Sequence, residues 1–149
     1  MNSDKIRVAA VAGPTASGKS ALAMLLCRKY GGELISCDSM QIYRRMDIGT
    51  AKPSRAERAE IPHHLIDICD PSEDFSVAEF AVLADRAIRE TAERGRFPVL
   101  CGGTGLYLDS VLSGVDFGEL EADPAYRAEL AQAAEEKGAL FLHQMLREK

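Results

Sequence analysis

Gly13-Pro14-Thr15-Ala16-Ser17-Gly18-Lys19-Ser20 completes the pattern G-x-x-x-x-G-K-[ST], and no other feature limits the local fold as much. The pattern needs a strand before it and a helix after it. An apolar run from Ile6 to Ala12 supplies the strand, and residues from about Gly18 to Tyr30 supply the helix. Gly31-Gly32 then ends that helix, because glycine enters the left-handed conformation easily. Gly13 and Gly18 let the backbone turn tightly, so that successive N–H groups face inward as an anion nest. The helix adds its positive dipole end. Lys19 brings a mobile charge to a terminal phosphate, and Ser20 offers a hydroxyl to Mg2+. The segment is therefore expected to bind the phosphates of a nucleotide or diphosphate ester.

Beyond the loop, apolar runs alternate with helical patterns, which predicts an α/β fold with a mainly parallel sheet. Further strands are expected at Glu33 to Cys37, His64 to Cys69 and Phe97 to Cys101. Ser54-Arg55-Ala56-Glu57 and Ser76-Val77-Ala78-Glu79 have capping-box spacing. After the second box, Phe80, Leu83, Ala84, Ala87, Ile88 and Thr91 recur at helical spacing and form one face for the sheet. Gly102-Gly103-Thr104-Gly105 leads into a helix reaching about Leu112. At Val115 the pattern changes to two helices rich in Ala and charge, over residues 124–137 and 139–147, the first capped by Asp123-Pro124. This divides the chain into a core over residues 1–114 and the start of a helical appendage over residues 115–149.

The length of 149 residues suits one domain with a sizeable core. No apolar run approaches the ~20 residues that cross a bilayer, and the polar first residues do not resemble a signal peptide. A cytoplasmic protein is expected. Cys27, Cys37, Cys69 and Cys101 show no zinc or redox spacing and read as reduced thiols packed as small hydrophobes. The net charge of −5 is unevenly spread. Residues 1–60 carry 10 Lys and Arg against 6 Asp and Glu, and the remainder 8 against 17. A nucleic-acid partner would meet a local patch, the best being Arg44, Arg45, Lys52, Arg55 and Arg58; taken alone, this patch reads as a solvated face.

In an open parallel sheet, ligands bind beyond the carboxyl ends of the strands. Those ends deliver the phosphate loop, then Asp38-Ser39-Met40-Gln41, then Asp67 and Asp70, then Gly102-Gly103-Thr104. Asp38 suits a general base, a metal ligand or a cap for a helix over residues 39–46. Thr104 suits a helix cap or a bond to a phosphate oxygen. Asp67 and Asp70 suit Mg2+ held through water. His63 and His64 lie at the amino end of the third strand, opposite the expected site, and are assigned structural roles.

Taken together, GPTASGKS (13–20), ISCDSMQIYRRMDIGTAKP (35–53), IPHHLIDICDP (61–71), FSVAEF (75–80) and GGTGLYLDSVLSG (102–114) resemble the tRNA dimethylallyltransferases, also called tRNA isopentenyltransferases. The resemblance implies a P-loop NTPase-like parallel sheet flanked by helices, with a helical insertion. It implies transfer of a dimethylallyl group from dimethylallyl diphosphate to N6 of the adenine beside the tRNA anticodon. Residues 13–20 would then hold a diphosphate leaving group, with Mg2+ and Lys19 stabilising its charge. Thr104 would bond a diphosphate oxygen, and Asp38 would accept the N6 proton. Ser39, Met40 and Gln41 would read the flipped base of the anticodon stem-loop. Arg127 matches a tRNA-contacting arginine at the start of the insertion.

Members of that family are longer, and continue through a segment of the form Q-R-x-x-R-A-L-E that is not found in these residues. The chain is thus expected to be the amino-terminal half of such an enzyme, with weak or absent turnover alone. Three other readings share the motifs. A P-loop nucleotide or small-molecule kinase would have the same loop and sheet, although such kinases bring several arginines to the phosphate and residues 115–149 hold only Arg127 and Arg147. A related transferase could prenylate free adenine nucleotides. A non-catalytic remnant would bind diphosphate or RNA without turnover.

Overall fold

The computed structural model describes residues 5–114 and 123–148. The change of pattern at Val115 and the polar start Met1 to Asp4 lie outside the described residues. The chain divides into two compact units, Met1–Asp116 and Phe117–Lys149.

The first unit is a four-stranded parallel sheet between two helical layers. Its strands are β1 (Ala9–Ala12), β2 (Gly32–Ser36), β3 (His63–His64) and β4 (Phe97–Gly102), in the spatial order β1-β4-β2-β3. The helices are α1 (Lys19–Tyr30), α2 (Arg55–Glu60), α3 (Val77–Glu93) and α4 (Gly105–Leu112). Successive residues of a strand point to opposite faces, and the central strands are apolar on both. Leu34 and Val99 face one side and pack with Ala23, Met24 and Cys27 of α1. Ile35 and Leu100 face the other side, with Phe80, Ala84 and Ile88 of α3 and Tyr107 and Leu108 of α4. Phe80 and Tyr107 stack at 3.9 Å between ring centroids.

Local chemistry accounts for the helix ends. Ser54 and Ser76 both complete capping boxes, with Glu57 and Glu79 as the reciprocal partners. Gly31 closes α1 at φ 64°. All four cysteines are buried and free. Burial pushes the Cys37 thiol up to about 12 and the Cys27 thiol to about 11, so both pack as neutral groups.

Three expectations change. The first strand is shorter, beginning at Ala9 rather than Ile6. The run from His64 to Cys69 does not form one strand, because Leu65 (φ 61°) and Asp67 (φ 57°) adopt left-handed conformations that break the extended chain. Its remainder is held instead by residues 41–44: Asp67 N donates to Gln41 O, Ile68 N to Ile42 O, and Tyr43 bridges Cys69. Residues 39–46 form turns rather than a helix.

In the second unit, α5 (Pro124–Lys137) starts at Asp123, whose carboxylate accepts from Tyr126 N, and α6 (Ala139–Arg147) follows Gly138.

Candidate functional site

The phosphate loop joins β1 to α1. Gly13 sits at φ 155°, where a Cβ would lie 3.0 Å from Ser17 Oγ. Gly18 precedes α1 at φ 82°, in the left-handed region. Ala16, at φ 64°, is a further strained position inside the loop. Lys19 Nζ donates to Pro14 O at 3.1 Å, so its charge is folded over the loop.

A second segment reaches the loop because β2 and β4 are locked together beyond their ends. Cys37 N donates to Cys101 O, and Thr104 N donates to Cys37 O. A Cβ on Gly102 would lie 2.0 Å from the Cys37 carbonyl oxygen, so only glycine fits. A Cβ on Gly103 would lie 3.2 Å from Gly13 O. The Gly-Gly pair thus brings Thr104 close to both the phosphate loop and residues 38–41.

Thr104 Oγ1 accepts from Ser39 N at 3.0 Å and donates to Ser39 Oγ at 3.3 Å. Its side chain does not cap α4. The hydroxyl proton sits on a long bond, so a stronger acceptor such as a phosphate oxygen can take it. Asp38 Oδ1 accepts from Met40 N at 2.9 Å and Gln41 N at 3.4 Å. This is an Asx turn rather than a helix cap. Among the described residues Asp38 Oδ2 accepts no hydrogen bond, which leaves one carboxylate oxygen free for a proton. The Gln41 amide is committed: Oε1 accepts from Ser36 Oγ, and Nε2 donates to Thr50 O and Ala51 O.

Part of this constellation lines one cleft of 390 Å³, and Ser39 and Thr104 are not among its lining residues. Thr15, Lys19 and Ser20 form one side, Asp38, Met40 and Gln41 another, and Gly49 to Pro53 a third. Met24, Leu34 and Cys101 supply apolar surface, and Glu57 and His63 also line it. Gly49, Thr50, Ala51, Pro53, Glu57 and His63 did not figure among the expected site residues, and Lys52 figured only in the basic patch. DIGTAKP belongs to the resemblance, but no residue chemistry marked it as a wall. His64 instead lies 2.7 Å from the buried Glu33 carboxylate, in a structural role.

Two expected functions are not found where they were placed. The Asp67 carboxylate is taken up by ion pairs instead, with Lys52 at 2.7 Å from Oδ1 and Arg58 at 2.6 Å from Oδ2. Burial alone would raise its pKa, but these two cations hold it below the usual carboxylate range. Asp70 is paired with Arg45 and with Ser72. The basic patch is likewise largely committed. Arg44 donates to Asp67 O and Ile68 O, Arg58 to Asp67, and the Lys52 side chain is 2% exposed.

No cluster of three potential metal ligands occurs among the described residues. The oxygen donors around the cleft are dispersed, with the Ser20 hydroxyl on the loop and the Asp38 and Glu57 carboxylates on other walls. That suits a hard divalent ion held chiefly by substrate oxygens and water, not by a protein cage. Arg127 lies in α5 of the second unit.

A strand, glycine-rich anion nest and helix in a parallel sheet flanked by helices define a protein of the P-loop class, with an NTPase-like fold. Comparison with known proteins narrows the class. The family model described as "IPP transferase" matches residues 41–149, and one described as "Isopentenyl transferase" matches residues 6–67. The chain belongs to the IPP transferase family. It is 54% identical to a tRNA dimethylallyltransferase of Carboxydothermus hydrogenoformans, over 91% of this chain and 44% of the relative. It is 47% identical to that of Bacillus licheniformis, over 100% of this chain and 48% of the relative. A crystal structure of a full-length tRNA isopentenylpyrophosphate transferase from Bacillus halodurans matches with TM-score 0.75 and 49% identity, over 97% of this chain and 48% of that one. A eukaryotic dimethylallyltransferase caught acting on tRNA matches with TM-score 0.68 and 35% identity, over 80% of this chain and 28% of that one. The chain spans about half the length of the curated relatives it matches.

Proposed function

We propose that this chain carries the donor site and the acceptor-base residues of a tRNA prenyltransferase, which moves a dimethylallyl group from dimethylallyl diphosphate to N6 of the adenine beside the anticodon, at position 37. The observation that carries this reading is the shared cleft: Thr15, Lys19 and Ser20 of the phosphate loop and the Asp38 carboxylate, with one oxygen free, line one space, and Thr104 is bonded to Ser39 next to Asp38.

The loop N–H groups and Lys19 bind the diphosphate. As the allylic C–O bond breaks, its electron pair stays on the diphosphate, and the Thr104 hydroxyl turns from Ser39 to the oxygen that gains charge. The N6 lone pair forms the new C–N bond, and Asp38 Oδ2 takes the displaced N6 proton. Adenine N6 is a poor nucleophile, so a placed base contributes roughly 10²–10⁴ in rate. Ser39, Met40 and Gln41 meet the extruded base, whose unstacking is cheaper in a single-stranded loop. Ser20 would hold Mg2+, which supplies charge neutralisation at the leaving group.

The second unit is read as the start of a tRNA-binding insertion, with Arg127 meeting RNA phosphate. Buried reduced thiols fit the cytoplasm. Because the chain spans about half of its relatives, these 149 residues are expected to turn over weakly or not at all by themselves. Transfer at the rate of a longer relative would overturn that expectation.

Calorimetric titration with dimethylallyl diphosphate and with ATP, both with Mg2+, tests the reading. Tighter binding of the prenyl diphosphate supports it. Tighter binding of ATP, with phosphate transfer to an acceptor, would favour a kinase.

A further inference from the structure

The cleft wall over residues 38–53 contains no helix or strand, and yet it carries Asp38, Met40 and Gln41. A backbone without a ladder must satisfy its polar groups by other means. Two side chains close this loop on itself. Gln41 Nε2 reaches forward to Thr50 O and Ala51 O. Lys52 Nζ reaches back to Tyr43 O at 2.6 Å and to Asp47 Oδ1 at 3.0 Å. The third bond of the Lys52 ammonium goes to Asp67 Oδ1 at 2.7 Å, in the neighbouring irregular segment. Asp67 is held in turn by Arg58, which also donates to Pro53 O.

The backbone at this junction is strained. Arg45, Ala51, Leu65 and Asp67 are all non-glycine residues at positive φ. Such conformations persist only where the surroundings over-determine them, and they concentrate at functional sites. An apolar side chain in place of a buried ion pair often packs equally well. Packing alone therefore does not account for an ammonium buried on three oxygens. What it adds is direction, because each bond fixes one carbonyl or carboxylate of the wall.

We infer that Lys52 and Asp67 are positioning residues: their pairing fastens the loop over residues 41–53, and through Gln41 sets how Asp38 and Gln41 meet the acceptor base. The inference rests on the prenyl-transfer reading and deepens it. Neither residue touches the diphosphate in this scheme. Loss of the pair should spoil recognition of the base and spare the donor site.

The test uses Lys52→Met and Asp67→Asn in the full 149-residue chain. Two affinities are measured for each variant. One is for dimethylallyl diphosphate with Mg2+. The other is for an anticodon stem-loop carrying either adenine or purine, which lacks the 6-amino group, at the reactive position. The unaltered chain is expected to prefer adenine by about tenfold, the size of one hydrogen bond. Both variants should bring that preference to within about twofold, while donor affinity changes by less than about twofold. Unchanged donor binding shows that the variants remain folded. A preference kept in both variants overturns the inference and leaves the prenyl-transfer reading intact. Loss of donor binding together with base preference in both variants also overturns it, because the pair is then only a structural anchor. If the unaltered chain binds donor but shows no adenine preference, the acceptor reading fails and the inference falls with it.

Discussion

Lys19 and Gly102 show how single residues determine this cleft. Lys19 Nζ donates to the Pro14 carbonyl, a neutral acceptor that a charged phosphate oxygen readily replaces. Lys19→Met should keep the fold and lower diphosphate affinity by about tenfold or more, given about 1.5–3 kcal/mol for a bond to a charged group. Calorimetry measures the loss, and circular dichroism checks the fold. Gly102 is constrained by a neighbour rather than by its own torsion. Its missing Cβ leaves room for the Cys37 carbonyl, a backbone atom that cannot move aside cheaply. Gly102→Ala should destabilise by about 1–3 kcal/mol or prevent folding, by overpacking. The urea midpoint reports the change. A glycine run in a sequence shows that something approaches closely, but not which strand does so.

At the scale of elements, α3 was legible and the segment after β3 was not. Phe80, Ala84, Ala87, Ile88 and Thr91 form the buried face of α3, and Ser76 caps it as its spacing implies. Capping is local, within four residues, and an apolar stripe at helical period meets a sheet in only one orientation. Ser76→Ala should therefore cost about 0.5–2 kcal/mol, measured by urea unfolding. The run after His64 has strand composition, with Leu65, Ile66 and Ile68 in alternation or close to it. It fails as a strand because its partners are residues 41–44, which are themselves irregular. Pairing between two irregular segments has no periodicity to read. The same cause hid the role of Lys52 and Asp67: a lysine in a polar loop reads as solvated until its three oxygens are brought from distant positions.

At the scale of the whole unit, a second ion cluster ties the far side of the sheet to α3. The Glu33 carboxylate, in β2, takes Arg94 at 2.6 Å and Thr91 at 3.3 Å, with His64 at 2.7 Å. Its side chain is only 7% exposed. Burial acts to raise its pKa, but the bonds from Arg94 and His64 outweigh burial and hold it below the usual value. A carboxylate so depressed stabilises the fold above its unfolded pKa, near 4.3, and loses that contribution as pH falls through the lower folded value. Asp67, depressed by Lys52 and Arg58, acts in the same sense. Urea midpoints measured from pH 6 to pH 3 should therefore drop below about pH 4. Glu33→Gln should be less stable at pH 6 by about 1–3 kcal/mol, with a shallower fall in acid. An equally steep fall in that variant would remove Glu33 from the account.

The phosphate loop, the parallel α/β class, both capping boxes and the order of the main helices were determined by sequence alone, because each depends on neighbours within a few residues or on a repeating period. The same holds for the placement of Asp38 and Thr104 at strand ends, which follows from the parallel topology. Tertiary structure decided what those residues do once there. It placed Thr104 against Ser39 and made Asp38 the anchor of an Asx turn. It paired Asp67 and Asp70 with Lys52, Arg58 and Arg45, and so took most of the basic patch into the chain's own ion pairs. Charges carry no periodicity, and their partners are chosen by proximity in space. Sequence can name the charged groups, but only the folded chain decides which of them remain available for a ligand.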